Sequence, residues 1–355
     1  MLFYFLIIFC VTSLVGISYA YPNKNNLLQW LILCILICVA GFRHHVGIDY
    51  DWYIDWYVNK TRDDKLEFGF LAMMKLFRTL NCSYTTFFFF FSLLTLFSAF
   101  FGIKKYTKNV SLALLFFFLI PELYLCSFNL IRQSFSVCIS FYAFYFLINK
   151  KYFIFIVLMF LAISVHNSAT LPLLVFLVVF KYADRINSKC IALILTVSIA
   201  LSYLDIIEMF GFLFKSTRYS YYFDSPRASV SFFKIVVLNS VAFFVLLNFE
   251  KMKARYDYQK YMLLLYFCSV VFMNLFNNFA NVERLTYFFK IFEIVVVADL
   301  ICLFAKERKI LLFSFFYVYY VSAFIHTFDN DSKVKSTSKL IPYKTFILEK
   351  RYQHF

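Results

Sequence analysis

The sequence predicts an all-α polytopic integral membrane protein with about 12 transmembrane helices. Three observations carry that prediction: the apolar content, the length of the apolar runs and the alternation of the basic connections. Of 355 residues, 63% are hydrophobic and 23% aromatic, against 15% charged. A soluble domain of this length lacks the polar groups to cover so much apolar surface, so lipid must be its solvent. Gly (6) and Pro (5) are scarce, and apolar runs recur at roughly 17 to 22 residues, the helix length that crosses hydrocarbon about 30 Å thick. The ten-residue alternation of a membrane β-barrel is missing.

The apolar runs read as spans at 2 to 20, 27 to 42, 85 to 103, 110 to 126, 130 to 149, 152 to 167, 169 to 182, 190 to 208, 231 to 249, 261 to 280, 285 to 305 and 310 to 328. Orientation follows from the short connections. Lys24, then Lys104, Lys105 and Lys108, then Lys150 and Lys151, then Lys181, Arg185 and Lys189, then Lys251, Lys253, Arg255 and Lys260, then Lys306, Arg308 and Lys309 occupy alternate loops, which are therefore cytoplasmic. The opposite short loops are nearly free of basic residues, apart from Arg132 and Arg284 at the mouths of spans. The longer segments on that side, 43 to 84, 209 to 230 and the tail from 329 to 355, are then periplasmic or extracellular, and residues 1 to 355 form a single transmembrane domain. Ser18-Tyr19-Ala20 resembles a signal-peptidase site, but no basic stretch precedes the first span. An uncleaved first helix with an outside N-terminus fits the parity of the later loops.

The net charge of +15 comes from residues scattered singly between apolar runs, which argues for topology signals and against nucleic acid as a partner. The nine cysteines are an odd number, most of them inside spans, and give neither a disulfide framework nor metal-ligand spacing.

Segment 43 to 84 is the most informative. Helical spacing from Asp49 to Tyr57 puts Asp49, Trp52, Tyr53, Trp56 and Tyr57 on one side, with Asp51 and Asp55 opposite. A carboxylate among aromatic rings suits a sugar, whose C–H faces stack while its hydroxyls hydrogen-bond; the plainer alternative is an interfacial aromatic belt capped by Asp49. From Leu66 to Leu80 the pattern is again helical, with Glu67, Lys75 and Arg78 in a narrow polar stripe, as in a helix that lies in the interface or dips into a protein-lined cavity. Asp49-Tyr50-Asp51 also spells D-x-D, a metal-binding pattern of nucleotide-sugar transferases. On a helix, carboxylates two apart point in nearly opposite directions, so chelation needs an extended backbone, and neither a metal nor a cofactor is expected.

Polar groups from distant spans converge on the outer leaflet: Arg43 with Gly47, Asp49 and Tyr53; Glu67 followed by Gly69; Arg132 with Gln133; His166; and, later, Arg284 with Tyr287. An arginine near hydrocarbon costs about 2.5 to 3.5 kcal/mol on insertion scales, so it faces a cavity or partner unless it snorkels to headgroups. His166 alone is as often structural as catalytic in such a place. A diphosphate on a polyprenyl lipid presents paired anionic oxygens at this depth. Arginine binds such groups through bidentate, charge-assisted hydrogen bonds and neutralises the charge that grows on a leaving diphosphate. The acceptor hydroxyl then needs a base, for which Asp49, Glu67 and His166 are all available.

Several short motifs resemble the EpsG-like, Wzy-type family of O-antigen and exopolysaccharide polymerases. They are Arg43-His44-His45-Val46-Gly47-Ile48-Asp49 with Tyr53, Glu67-x-Gly69, Asn129-Leu130-Ile131-Arg132-Gln133, His166-Asn167-Ser168-Ala169, the element from Arg284 to Tyr287, and Pro342-Tyr343. The resemblance covers most of the chain from about 40 to 345, and the order and side of the motifs are more specific than any one of them. It implies a GT-C-like helical architecture with short amphipathic periplasmic helices and work without nucleotide sugars or a metal. The implied reaction transfers a growing glycan from undecaprenyl diphosphate to the nonreducing end of a lipid-linked repeat unit, at the periplasmic face of a bacterial inner membrane. Asp49, Glu67, His166 and Arg132 are then the catalytic candidates, and Arg43, Gly47, Tyr53, Gln133, Arg284 and Tyr287 the diphosphate and substrate contacts. Arg218 and Arg227, in a 209 to 230 loop that is short for this class, are secondary candidates. The implied partners are undecaprenyl-diphosphate-linked glycans, membrane lipids, a chain-length regulator and a flippase. Two other classes remain open: a flippase or exporter of the lipid-linked unit, against which the polar groups cluster on one side without an internal repeat, and another membrane transferase such as an O-antigen ligase, which shares the same site logic.

Overall fold

Long runs of Leu, Ile, Phe and Val with few Gly or Pro residues leave the backbone one way to satisfy its own polar groups in lipid, the α-helix. A computed structural model describes residues 1–202, 232–277, 283–333 and 339–347. Among these, helix is the dominant regular structure, and the only β-pairing is an isolated bridge between Arg43 and Thr345. Among the described residues, five helical stretches are long and apolar enough to cross a membrane: Leu2–Ala20, Pro22–Gly41, Tyr84–Tyr106, Ile131–Ile148 and Lys306–Phe328. Six shorter apolar helices of 10–17 residues accompany them. Large side chains such as Phe9, Phe153, Phe160, Leu193 and Leu311 stand exposed on these helices, as a lipid solvent allows and water does not.

The chain divides into two compact units, Met1–Leu173 with Phe304–Phe355, and Leu174–Leu303. The first contains α1 (Leu2–Ala20), α2 (Asn25–Gly41), α3 (Tyr50–Asn59), α4 (Phe68–Thr79), α5 (Tyr84–Tyr106), α6 (Val110–Leu119), α7 (Ile131–Ile148), α8 (Tyr152–Val165) and the start of α9 (Thr170–Tyr182). In the second, α9 is followed by α10 (Ser188–Ser202), α11 (Phe232–Leu247), α12 (Phe249–Lys253), α13 (Gln259–Leu275), α14 (Glu283–Lys290) and α15 (Glu293–Ile301), and α16 (Lys306–Lys333) returns to the first.

In the first unit, α5 packs between α2 and α7, and α7 packs on α8. All ten residues of α6 are buried, against α1, α2, α5 and α16, as befits a helix apolar on every side. The expected span 110 to 126 is not continuous. Residue Ile120 is extended ahead of Pro121, and the chain turns through a short 3-10 element, Leu125–Phe128, before α7. Steric conflict between a proline ring and the residue before it disfavours helix there. The expected span 285 to 305 is likewise broken, by a turn at Ile291 and Phe292 between α14 and α15. Buried Lys290 and Glu293 face each other across that turn, 4.0 Å apart.

In the second unit, α10, α11, α12, α14 and α15 all pack on α13. Asn274 of α13 and Asn239 of α11 exchange amide hydrogen bonds of 2.8 and 2.9 Å, and Asn274 Nδ2 also donates to Ser198 Oγ of α10 at 3.0 Å. Between helices in lipid such amides act as glue, because their only alternative is an unsatisfied polar group.

A clasp within the first unit gathers several of the sequence motifs. Segment 339–347 lies along residues 42 to 47: His44 N donates to Lys344 O at 2.9 Å, Gly47 N to Lys339 O at 3.1 Å and Phe346 N to Phe42 O at 3.3 Å. Tyr343 Oη reaches Val39 O at 2.8 Å, its ring stacks on Phe3 at 4.0 Å, and Tyr4 Oη donates to Leu340 O at 3.0 Å. Gly47 has φ +109°, and a Cβ there would lie 2.5 Å from Phe128 O. Only glycine accepts both the conformation and the approach. The next residue, Ile48, donates its N–H to Asn129 Oδ1 at 2.7 Å. Gly47, Asn129 and Tyr343, far apart in sequence, thus fasten one junction.

Candidate functional site

Three helix ends in the first unit meet around one carboxylate. Glu67 is extended (ψ 142°) at the start of α4, Arg132 is in the first turn of α7, and His166 is extended just past the end of α8. Apolar burial of Phe70 and Met74 seats α4, and Ser136 Oγ of α7 ties to Ala162 O of α8 at 2.8 Å. The tightest fit is at Gly69, where a Cβ would lie 2.2 Å from Ser164 Oγ and 2.9 Å from the Ser164 carbonyl carbon. Glycine at this position lets α4 approach the end of α8 and brings Glu67 to His166. Gly69→Ala is therefore expected to push the two apart. Activity should fall about tenfold or more while the inserted protein level holds, since a displacement of about 1 Å at a reacting site costs on the order of a hundredfold. Quantifying activity and protein level together checks this.

Glu67 Oε2 accepts from Arg132 Nη1, and Glu67 Oε1 lies 3.3 Å from His166 Nδ1, at charge-pair distance though off the line of a straight hydrogen bond. The side chains of Glu67, Arg132 and His166 are 13%, 21% and 25% exposed, so the cluster is largely desolvated yet reachable. Burial pushes the Glu67 carboxyl up, but the His166 ring and the Arg132 charge outweigh it and hold it down at about 2. Glu67 is thus a fixed anion near neutrality.

Arg132 is boxed by aromatic rings. Its guanidinium lies 5.4 Å from the Trp56 ring centre and 5.6 Å from that of Phe70, and within hydrogen-bond reach of the Tyr53 hydroxyl. Burial raises that hydroxyl's pKa, with Arg132 pulling against it. Arg132 Nε is buried without a hydrogen-bond partner, a condition that in a native site calls for a ligand or function.

The other expected site residues are distributed differently. Asp49 takes the N-cap position of α3, half-buried and close enough for its charge to act on Tyr53, but makes no side-chain capping hydrogen bond. Its backbone is helical, not extended, and Asp51 pairs instead with His45 at 2.5 Å and Lys339 at 3.6 Å. Gln133 is buried beside Arg132 on α7. Gly47 belongs to the clasp. Arg284 is exposed and Tyr287 half-buried on α14 of the second unit. Arg218 and Arg227 lie outside the described residues.

Arg43 departs from the expectation that it joins Arg132 in one pocket. It is 1% exposed, donates to Ala40 O and to Ser92 Oγ, and its guanidinium lies 5.0, 5.7 and 5.9 Å from the ring centres of Phe128, Tyr50 and Phe88. Burial pulls its pKa below the ordinary arginine value. The physical reason is local: Arg43 follows α2 directly, and its side chain folds back onto the last turn of that helix, where it meets the carbonyl of Ala40 and aromatic faces that accept a cation.

Two features escape a reading of the sequence. Trp52 and Trp56 fall on the same side of α3, yet Trp52 is 60% exposed and Trp56 is half-buried against Arg132. Arg78 reads as part of a polar stripe, yet it pairs with Asp63 through two bonds of 2.9 and 3.0 Å. A basic residue in the last turn of an amphipathic helix, following a charged loop, was the available signal.

Helices long and apolar enough to span a membrane define the class first, a helical membrane protein. A model of the EpsG family matches residues 26–345, so the chain belongs to the EpsG family, the one its motifs resemble. Comparison with curated proteins and with solved structures finds no match.

Proposed function

We propose that this protein is a glycosyltransferase that polymerises lipid-linked sugar repeat units, moving a growing glycan from undecaprenyl diphosphate to the nonreducing end of a new unit. On this reading the chain is one transmembrane domain with about 12 spans in a GT-C-like arrangement, and the site faces the periplasm from a bacterial inner membrane. The observation that carries it is the convergence of Glu67, Arg132 and His166 from three helix ends into a desolvated, reachable cluster.

The chemistry assigns a role to each. The acceptor hydroxyl attacks the anomeric carbon of the glycan, the bond from that carbon to the diphosphate oxygen breaks, and the electron pair leaves with the diphosphate. Arg132 offers the charge and N–H donors that stabilise this leaving group. The hydroxyl proton goes to a base. Glu67, held at about 2, is too weak a base for that step near neutrality, whereas His166, with Nδ1 turned to Glu67, keeps Nε2 for the acceptor. Glu67 then orients the ring and balances its charge, as the carboxylate does in other carboxylate–histidine pairs. Asp49 and Tyr53 stand close by as acceptor contacts, and Gln133, Arg284 and Tyr287 remain candidates for substrate binding.

Deleting the gene and examining surface polysaccharide on a gel tests the reaction. The expected result is loss of the long-chain ladder with retention of a single repeat unit. A normal ladder in the deletion strain overturns the proposal.

A further inference from the structure

We propose that Trp56 is the stacking platform for a sugar ring of the polyprenyl-diphosphate-linked glycan, and that Arg78 is the residue that positions it. The inference rests on the proposed function for the identity of the glycan lipid, but on the geometry for the site.

Trp56 lies on α3 in a T-shaped contact with Tyr53, ring centres 4.8 Å apart at 73°, and with the Arg132 guanidinium 5.4 Å from its ring centre. A belt residue anchored in headgroups has the character of Trp52, one turn earlier and 60% exposed. Trp56 is instead turned toward the ionic cluster and remains half-buried. An indole face is electron-rich and receives the weakly positive C–H face of a pyranose as it receives a cation. The sugar next to a diphosphate is covalently joined to it, so a ring beside the diphosphate-binding guanidinium is where that sugar must pass.

A platform works only if its backbone is held, and Arg78 holds it. From α4, Arg78 Nη2 donates to Trp56 O at 2.6 Å and Nε to Tyr57 O at 2.8 Å, while Nη1 and Nη2 fork onto the two oxygens of Asp63 at 2.9 and 3.0 Å. The guanidinium also lies 5.7 Å from the Tyr57 ring centre. These carbonyls belong to the last turn of α3, which has no intrahelical donor for them. One residue therefore closes α3 and ties it to α4, the helix whose first turn follows Glu67, so that Trp56 and Glu67 keep a fixed relation.

The chain has three tryptophans, so Trp30→Phe with Trp52→Phe leaves Trp56 as the sole indole. The purified variant is titrated with two probes: glycan lipid extracted from the deletion strain, and sugar-free undecaprenyl diphosphate. A change in Trp56 emission with the glycan lipid and little with the sugar-free lipid is the expected result; equal responses to both overturn the platform. Adding Arg78→Lys to this variant keeps the charge but loses the fork. It should shift the unliganded emission to the red and weaken glycan-lipid Kd about tenfold, as should Trp56→Ala by a chain-length-independent binding assay, with Trp56→Phe intermediate. Unchanged emission and Kd in Arg78→Lys overturn the positioning role. A sugar-dependent signal in a protein that makes no polymer leaves this inference standing and removes the polymerase reading.

Discussion

Arg132→Ala is expected to abolish chain growth, with product falling at least a hundredfold in protein that is inserted at the normal level. Two effects add. The substitution removes the donor set that stabilises the departing diphosphate, an effect worth on the order of 10²–10³ in rate for a single oxyanion contact. It also strands Glu67, 13% exposed and ionised, in a site where breaking one member of a buried pair costs about 3–5 kcal/mol. Arg132→Lys should recover little, because a point charge cannot serve Glu67, the Tyr53 hydroxyl and a diphosphate at once as a planar fork can. Gel analysis of polymer length, with an immunoblot of the membrane fraction, decides the matter. Wild-type chains from a well-inserted Arg132→Ala protein would remove the assignment.

The second large effect is at His166, where alanine should lower the rate by about 10²–10⁴, the range of a lost general base. Glu67 contributes differently, through a fixed charge. The folded pKa of Glu67 is depressed from 4.5 to about 2, so its stabilising contribution is complete above about 4.5 and is lost only as pH falls through about 2. Between about pH 5 and 8 Glu67 carries a constant charge. Glu67→Gln should therefore lower the rate throughout that window, by removing the anion that balances the His166 ring, whereas His166→Ala removes the base itself. Chain growth at the wild-type rate in a well-inserted His166→Ala protein would assign the base to another group, Asp49 first among them.

The apolar runs of α1, α2, α5, α7 and α8 mark their helices to within a few residues, because in lipid the run itself, rather than its periodicity, sets the helix. The break after α6 is visible afterwards in Pro121. The break between α14 and α15 carries no Gly or Pro, and only the Lys290–Glu293 pair hints at it. Arg132 and His166 stand out in the sequence as polar exceptions near span ends, Glu67 as part of the polar stripe from Leu66 to Leu80, and their meeting follows from α4 settling on α8 at Gly69. Arg43 stands out in the same way but turns into its own helix end. A sequence pattern gives the depth of an arginine in the membrane and not which wall it faces. Trp52 and Trp56 are alike in register, and what tells them apart is the contact of the Trp56 ring with Arg132.

Several family-like motifs also divide by role once the contacts are known. Gly47, Asn129 and Tyr343 fasten the junction between the N-terminal helices and segment 339–347, while Glu67, Arg132 and His166 form the ionic cluster. The first group is expected to tolerate no bulk at Gly47 for reasons of backbone fit alone, and the second to respond to changes of charge that leave the fold intact.

The most direct measurement incubates the purified protein in detergent or liposomes with undecaprenyl-diphosphate-linked repeat units and nothing else, and compares wild type with Glu67→Gln. Wild type should yield polymer without a second acceptor, and the variant, isosteric but uncharged at the centre of the cluster, should yield almost none. Polymer made by Glu67→Gln at the wild-type rate would contradict a site built on that carboxylate.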